Sequence, residues 1–511
     1  MKDGAARAKR VSRQGSDGPL YDVVVVGGGV NGSGIARDAA LRGLSVCLLE
    51  KGDFASGTSS YSSKLIHGGL RYLEFGAFSM VREALKERAL LLKILPTFVR
   101  PLRLVLPRTQ GGRPLWLVRL GLWLYDHLAP RGSLEKSLSH DLSRHEFGRP
   151  LKEAPRGFEF SDCMVDDARL VIFNVLEAAA ERADIRPVSP VVKAARLDDV
   201  WQVTLEDGAT FKGRVLINAT GPFVNHFIEQ VMAGFPALPL RLVRGSHIVV
   251  PKLYDHDRGY LLQMTDKRVI FALPFESHFT LIGTTEAEEL GDLSTVTASS
   301  EEIDYLLQAA RQHFKRALNL DDIVWSYAGV RPLVGGAGAS ARSLSRDYQL
   351  VLEKAGGAPV VHVYGGKITT FRALSGEVVD LLAPFFPKLG ACRTHEVPYV
   401  AFEAEGFADW EADFHQKHSF LPPRLRHRYV SAYGRRADWF LRDVRVLEDM
   451  GRYFGGGLYM AELRYLIAHE WARTADDVLW RRTKCGLHME AEQRAALKDW
   501  FAKEFERDRI I

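Results

Sequence analysis

A compact run of apolar residues near the start of the chain ends in a cluster of glycines. Four consecutive valines at positions 23–26 predict a strand that is buried on both faces, as in a parallel sheet. Gly27, Gly29 and Gly32 follow in the order G-x-G-x-x-G, and a helical pattern over residues 35–42 leads to a second apolar strand that ends on Glu50. This order of strand, glycine turn, helix and terminal acid is typical of a dinucleotide-binding unit.

Each residue of this unit has a physical role. Gly27 makes the tight turn, Gly29 lets a pyrophosphate approach the backbone, and Gly32 lets helix and strand pack closely. The helix N-terminus offers N–H groups to the phosphates, and the Glu50 carboxylate can accept hydrogen bonds from ribose hydroxyls. The alternative is an ordinary glycine-rich turn, which the full order of elements disfavours.

Two later segments repeat the pattern of a buried strand and a glycine turn. Residues 214–218 lead into Ala219, Thr220 and Gly221, and residues 360–364 lead into Gly365 and Gly366, after which a helical pattern begins. An Ala-Thr-Gly of this kind resembles the strand end beside FAD in flavoproteins of the glutathione-reductase and amino-acid-oxidase type. The three segments together predict one nucleotide domain assembled from discontinuous pieces.

The periodicity differs outside these segments. Residues 188–211 predict a small β-meander, and short apolar strands at 240–250, 259–264, 268–273 and 278–283 predict an antiparallel sheet, followed by a helix near 301–318. After Pro384 the pattern is helical, with amphipathic stretches at 459–480 and 490–506. A separate helical C-terminal domain is therefore expected.

Composition restricts the class of protein. The length of 511 residues allows two or three domains, and a net charge of +5 does not favour nucleic-acid binding. The four cysteines are far apart, which disfavours a disulfide scaffold or a zinc site and favours a reducing cytoplasm. The first 18 or so residues are basic without an apolar segment, so they predict a disordered tail rather than a secretory signal.

One segment stands out as a candidate for contact with a membrane. Residues 98–128 alternate apolar and aromatic side chains with arginines, although no run approaches the ~20 apolar residues of a spanning helix. Such a segment could lie in a bilayer interface, or it could be a core helix with a basic outer edge. The sequence does not separate the two interpretations.

A longer set of motifs closely resembles the FAD-dependent, respiratory glycerol-3-phosphate dehydrogenases, from about residue 20 to the end. The main motif is TSSYSSKLIHGGLRYLE at residues 58–74. Others are FSDCMVDDARL at 160–170, RGSHIVVP at 244–251, GVRPL at 329–333, SRDY at 345–348, GGKITT at 365–370 and ADDVLWRRTK at 475–484. The basic tail, the bulky Tyr61 and the Gly/Ala stretch at 335–340 depart from the family pattern.

This resemblance implies an α/β fold with an FAD-binding Rossmann-like domain, an antiparallel β cap domain that binds substrate, and an α-helical C-terminal domain. The expected boundaries are 20–95, 155–235 and 330–384 for the FAD domain, 96–154 and 236–329 for the cap, and 385–511 for the helical domain. Residues 1–19 form the expected tail.

The resemblance also assigns the binding residues. A phosphate dianion requires several charge-assisted hydrogen bonds, which arginine's planar fork and lysine's point charge provide. The implied substrate residues are Arg71, Tyr72, Arg331, Arg346 and Lys367. The implied FAD residues are Gly27, Gly29, Gly32, Glu50, Thr58, Ser59, His67, Ala219, Gly221, Gly366 and Thr369, and no metal is expected.

Oxidation of a secondary alcohol needs a base that titrates near neutral pH. His247 is the first candidate and His67 the second, with Arg331 and Lys367 completing the catalytic set. The helix that begins near Thr369 can present N–H groups to negative charge near flavin N1.

The expected reaction is oxidation of sn-glycerol 3-phosphate to dihydroxyacetone phosphate, with electrons passed through FAD to ubiquinone or menaquinone. The protein would be cytoplasmic and peripherally attached to the anionic inner face of the cell membrane, and a homodimer is left open. The alternatives are an oxidase that uses oxygen, with the same fold and site, and a non-catalytic FAD-binding regulator.

Overall fold

The computed structural model describes residues 18–108, 113–153, 155–232, 234–264, 266, 268–335 and 347–507. Two sequence predictions fall outside these ranges. Arg346 is one, and the basic tail, apart from residues 18 and 19, is the other.

The first sheet is the nucleotide-binding sheet. Its order is β17-β18-β10-β1-β2-β7, with β8 and β9 attached to β10 as the predicted meander. The pairs β18–β10, β10–β1, β1–β2 and β2–β7 are parallel. Numbered in chain order, its strands are β1 Leu20–Val26, β2 Val46–Leu49, β7 Asp184–Arg186, β8 Val191–Leu197, β9 Val200–Leu205, β10 Thr210–Asn218, β17 Gln349–Glu353 and β18 Val360–Tyr364.

Three helices cover one face of this sheet: α1 Val30–Leu41, α4 Asp167–Ala180 and α7 Phe371–Asp380. Side chains alternate between the faces of a strand, so Val23 and Val25 join the core beneath these helices. Val24 and Val26 join a second core with the meander. The four valines are therefore buried on both sides, as predicted.

The second sheet forms the cap. Its order is β15-β11-β14-β13-β12-β4-β6-β3, with β16 paired to β11 and β5 paired to β6. All its pairs are antiparallel except β12–β4. Its strands are β3 Leu65–Ile66, β4 Arg100–Pro107, β5 Leu138–His140, β6 Gly157–Met164, β11 Leu240–Pro251, β12 Gly259–Gln263, β13 Val269–Phe275, β14 Phe279–Gly283, β15 Ala287–Glu288 and β16 Trp325–Val334.

Three strands of the cap sheet run into segments predicted for the FAD domain, and one of them is β16, whose residues 330–334 pair with β11. Strand β6 pairs along its whole length with β4 and belongs to the cap sheet, although the sequence analysis placed residues 155–235 in the FAD domain. Strand β3 also pairs with β6, so a piece of the predicted FAD segment 20–95 lies at the edge of the cap. Strand β6 carries Glu159, Ser161 and Asp162 among its apolar residues, and pairing places both strands in the cap sheet.

The segment at 98–128 is neither a single anchor nor a core helix. Its first half is the buried strand β4, in which Leu102, Leu104 and Leu106 join the cap core. Phe98 packs against Phe173 and Phe402, with ring centroids 5.2 and 5.1 Å away. Only the second half is a helix, α3 Leu115–His127.

Helices α2 Phe78–Ile94 and α3 pack on one face of the cap sheet, and α6 Ser300–His313 packs on the other. A short helix, α5 Val224–His226, follows β10. In the described residues, no helix is long and apolar enough to cross a membrane.

The C-terminal part is helical, as predicted, with one two-stranded pair, β19 Tyr453–Gly455 and β20 Leu458–Tyr459. Its helices are α8 Phe407–Lys417, α9 Pro423–Tyr433, α10 Ala437–Leu441, α11 Met460–His469 and α12 Ala491–Arg507. The helix predicted over 459–480 is interrupted, because α11 ends at His469 and Trp471 has a φ of +56° before a wide π turn at Asp477–Arg482.

Candidate active site

The glycine turn joins β1 to α1 at the carboxyl edge of the first sheet. Gly27 has a φ of +109°, and its N–H donates to the Leu49 carbonyl at 2.8 Å. A Cβ on Gly32 would lie 1.8 Å from the Gly27 carbonyl oxygen, so only glycine lets the helix begin this close to the strand. Gly29 lies directly before α1 in extended conformation. With no side chain at this position, a ligand phosphate can approach the N-terminus of the helix.

Glu50 holds this turn from the neighbouring strand. Its carboxylate accepts hydrogen bonds from Gly28 N at 2.6 Å and Gly52 N at 2.8 Å. Burial raises the pKa of Glu50, and the two backbone donors oppose that rise. The buried acid lies beside the glycine turn, where the sequence analysis expects it to meet a ribose.

Glu50→Ala should weaken FAD binding by about 1–3 kcal/mol, since it removes a buried acceptor and leaves two backbone donors unpaired. Titration of apoprotein with FAD, followed by flavin fluorescence, measures the change. Glu50→Gln keeps the shape and one acceptor, so it should lose less. Unchanged affinity in both variants would remove Glu50 from the site.

The other two nucleotide segments meet the same turn. Ala219 N donates to Val26 O at 2.9 Å, and Gly221 has a φ of +61°. Asn31 Nδ2 donates to the Gly365 carbonyl at 3.0 Å, and a Cβ on Gly366 would lie 2.8 Å from Asn31 Nδ2. Asn31 Oδ1 is buried without a hydrogen-bond partner in the described residues.

Thr58 and Ser59 close the turn from the segment after β2. Ser59 Oγ accepts a hydrogen bond from Val30 N at 2.9 Å, and Thr58 Oγ1 donates to the Val330 carbonyl at 2.7 Å. The backbone cradle, the buried acid and the partnerless amide oxygen of Asn31 fit the pyrophosphate and ribose of a dinucleotide.

His67 and Thr369 lie together at the start of the third segment. His67 N donates to Thr369 Oγ1 at 3.2 Å. The His67 ring meets Phe271 edge-on, with centroids 6.1 Å apart. Phe271 pairs across the cap sheet with Gly283, so His67 lies at the junction of the two sheets.

His247 lies on the other side of Gly283. Its side chain is 1% exposed, a Cβ on Gly283 would lie 2.1 Å from His247 Cδ2, and Tyr327 stacks on the ring at 4.9 Å. His247 Nε2 is 2.9 Å from Ser63 Oγ, and Nδ1 is buried without a partner in the described part of the chain. Burial holds the pKa of His247 well below 6.5, and the charges of Arg331 and Lys64 lower it further.

Arg331 occupies the neighbouring strand. Its Nη2 donates to Thr284 Oγ1 at 3.2 Å, and a Cβ on Gly245 would lie 2.7 Å from the same nitrogen. The Arg331 guanidinium therefore lies against Gly245 of β11, and Gly245 precedes His247 by two residues. The structure brings these two predicted catalytic residues together.

Lys367 and Tyr72 form a second pair. Lys367 Nζ lies 4.7 Å from the centroid of the Tyr72 ring and 2.6 Å from Met80 Sδ. Lys367 precedes Thr369 by two residues, which connects this pair to His67. Arg71 is half-buried in the short turn Leu70–Phe75, next to Tyr72.

Three residues around His247 and Arg331 were not predicted from the sequence: Ser63, Tyr327 and Thr284. Ser63 lies inside the motif at 58–74, and Thr284 directly follows strand β14, so their positions were available but not their partners. Tyr327 donates from its hydroxyl to Ser62 O at 2.8 Å, which fixes the ring under His247. The assignment of roles to these site residues stays a prediction.

Comparisons with known proteins agree with this geometry. A family model described as FAD dependent oxidoreductase matches residues 22–372, and one described as the C-terminal domain of alpha-glycerophosphate oxidase matches residues 392–506. The chain is 45% identical to D-erythritol 1-phosphate dehydrogenase of Brucella abortus, covering 94% of this chain and 97% of that protein. It is 42% identical to the aerobic glycerol-3-phosphate dehydrogenase of Escherichia coli, with the same two coverages.

A solved structure extends the likeness to three dimensions. The glycerol-3-phosphate dehydrogenase from Bacillus halodurans complexed with FAD is 26% identical and superposes with a TM-score of 0.73, over 95% of this chain and 91% of that one. These findings confirm the fold class, the resemblance and the FAD cofactor. The chain belongs to the family of FAD-dependent oxidoreductases that includes the bacterial glycerol-3-phosphate dehydrogenases.

Proposed function

We propose that this protein oxidises sn-glycerol 3-phosphate to dihydroxyacetone phosphate and passes the electrons to a membrane quinone. The observation that carries the proposal is the buried His247 held beside Arg331, at the junction of the cap with the FAD segments. Lys367 provides a second cation, two residues before the Thr369 that contacts His67. A phosphorylated alcohol fits these residues, because its phosphate dianion can pair with Arg331 and Lys367 and its hydroxyl can donate to His247.

The residues divide the chemistry between them. Arg331 and Lys367, with Arg71 and the Tyr72 hydroxyl, bind the phosphate and fix the position of the carbinol carbon. When Nε2–H of His247 donates to Ser63 Oγ, Nδ1 keeps a lone pair that can take the proton of the secondary hydroxyl. FAD, when bound, accepts the hydride from the same carbon.

Reduction of the bound flavin under anaerobic conditions tests this function. Addition of sn-glycerol 3-phosphate should bleach the flavin absorbance, whereas plain glycerol should not, because it lacks the phosphate that the cations are proposed to bind. Absence of bleaching would favour the non-catalytic regulator. Reoxidation then separates the acceptors, since rapid oxidation by a quinone analogue supports the dehydrogenase and rapid peroxide formation in air supports the oxidase.

A second substrate deserves the same assay, because the Brucella abortus relative at 45% identity is a D-erythritol 1-phosphate dehydrogenase. Both compounds are polyol phosphates and would use the same cations. The ratio of kcat/KM for the two substrates decides between them. A ratio above one for D-erythritol 1-phosphate would replace the proposed substrate while leaving the site unchanged.

We also propose that helix α3 attaches the protein to the membrane. Its outer face carries exposed Trp116, Leu117, Leu120 and Trp123, and the exposed Phe75 and Phe78 lie on the adjoining elements. Isolated exposed apolar residues are ordinary, but a contiguous group of this size indicates a binding surface. Arg119 on the same helix can meet anionic headgroups.

Trp116 and Trp123 are 68% and 55% exposed, so Trp116→Glu with Trp123→Glu should fold, keep FAD and lose binding to anionic liposomes in a sedimentation assay. The matched control is Leu320→Glu with Val400→Glu, both 61% exposed elsewhere, which should bind like the wild type. Binding of the double tryptophan variant with wild-type affinity would place the contact on another surface.

A further inference from the structure

The segment that follows Glu50 closes over the glycine turn. Ala55 N donates to the Gly28 carbonyl at 3.1 Å. A Cβ on Gly28 would lie 2.5 Å from Phe54 Cδ1. Together with the bond between Val30 N and Ser59 Oγ, these contacts place residues 51–60 against the N-terminus of α1, where the dinucleotide is bound. We call these residues the cover segment.

The C-terminal domain holds the cover segment through one carboxylate. Asp53 accepts two parallel bonds from Arg482, Nη1 to Oδ2 at 2.7 Å and Nη2 to Oδ1 at 2.6 Å. Arg481 Nε adds a third bond to Oδ2 at 2.5 Å. Next to Asp53, the Phe54 ring meets Trp471 edge-on, with centroids 5.7 Å apart.

Arg482 is also held by contacts with Glu470. It is 0% exposed, and its remaining donors reach the Glu470 carbonyl at 2.7 and 3.2 Å. The Glu470 carboxylate pairs with the buried Arg169 of helix α4. Arg481 pairs with Asp477 one turn earlier. Because Arg482 is fully buried and four of its five N–H groups are bonded inside the protein, we expect it to affect the cofactor through Asp53.

We propose that Arg481 and Arg482 are positioning residues for FAD, which hold the cover segment against the glycine turn from a separate domain. Three charge-assisted hydrogen bonds to one buried carboxylate fix the backbone at Asp53 more firmly than apolar packing alone would. The motif ADDVLWRRTK at 475–484 thereby acquires a role in cofactor binding, although it lies more than 420 residues along the chain from Asp53.

The test is FAD affinity in the full-length protein. Asp53→Asn removes the charge and keeps the size, so FAD should bind about 10–100-fold more weakly, as when outer residues that orient a binding group are replaced. Flavin fluorescence gives the dissociation constant, at a temperature where far-UV circular dichroism shows each variant folded. Visible circular dichroism of the bound flavin should change as well, which loss of stability alone would not produce.

The control is Glu462→Gln, because the buried Glu462 also takes two bonds from one arginine, Arg428, at 2.6 and 2.7 Å, away from the cover segment. It should lower the unfolding temperature and leave FAD affinity unchanged. If Asp53→Asn does not fold, Arg481→Gln, which leaves the Arg482 pair intact, is measured in the same way. Wild-type FAD affinity and flavin circular dichroism in the folded Asp53 or Arg481 variant would overturn the proposal.

Discussion

Replacement of His247 by Asn should lower kcat by about 10²–10⁴-fold, the usual effect of a lost general base. Asn is smaller than His but keeps a polar group that can bond Ser63, so the cap sheet should remain folded. Single-turnover reduction of the flavin by sn-glycerol 3-phosphate measures the chemical step directly. A raised KM with unchanged kcat would show that His247 only binds substrate, and would move the proton to His67 or Lys367.

The same histidine should set the response to acid. Burial keeps its pKa in the folded protein well below 6.5, so proton uptake with falling pH favours the unfolded chain. We expect kcat/KM to be level through neutral pH and to fall only well below pH 6.5, where the folded protein protonates His247. The unfolding temperature should already begin to fall near pH 6.5, where the unfolded chain takes up its proton. His247→Asn should remove part of that loss of stability. Equal acid sensitivity of stability in variant and wild type would contradict the assignment of the low pKa.

Replacement of Arg331 by Ala should lower kcat/KM for sn-glycerol 3-phosphate by roughly 10–150-fold, the equivalent of one lost hydrogen bond to a charged group. Arg331→Lys keeps the charge but loses the planar fork, so it should recover only part of the activity. Steady-state kinetics on FAD-saturated protein measures both variants.

The control for Arg331 is Arg268→Ala in the same sheet. Arg268 is bonded to the exposed Asp266 and stacks on Tyr305, away from His247. It should leave kcat/KM unchanged. A wild-type value in Arg331→Ala would exclude Arg331 from the phosphate site, and the substrate cation would then be sought among Arg71 and Lys367.

The parts of the fold that the sequence predicted are those fixed by local order. The unit from Leu20 to Glu50 could be predicted because strand, glycine turn and helix follow one another within one stretch. Its glycines are required by backbone contacts inside that stretch, such as Gly32 against Gly27. The helical C-terminal region was predicted for the same reason, from a periodicity that each helix carries itself.

The parts that were missed depend on pairing over long distances. Strand β6 mixes apolar residues with Glu159, Ser161 and Asp162, and its register with β4 places it in the cap. Trp471 interrupts a good helical pattern because its left-handed backbone turns the chain toward Phe54, and nothing in the neighbouring residues specifies that contact. The substrate residues were predicted by resemblance and stay a prediction, whereas the environment of His247 required the structure.

The discontinuous first sheet has a consequence for synthesis of the chain. Strand β1 pairs on one side with β2 and on the other with β10, which begins 190 residues later at Thr210. At a translation rate of ~5–20 residues per second, the edge of β1 that later pairs with β10 stays unpaired for roughly 10–40 s. An unpaired valine strand of this kind can associate with other nascent chains. Slow expression at low temperature with abundant chaperone should therefore raise the yield of folded protein, and cofactor loading must follow the emergence of β18.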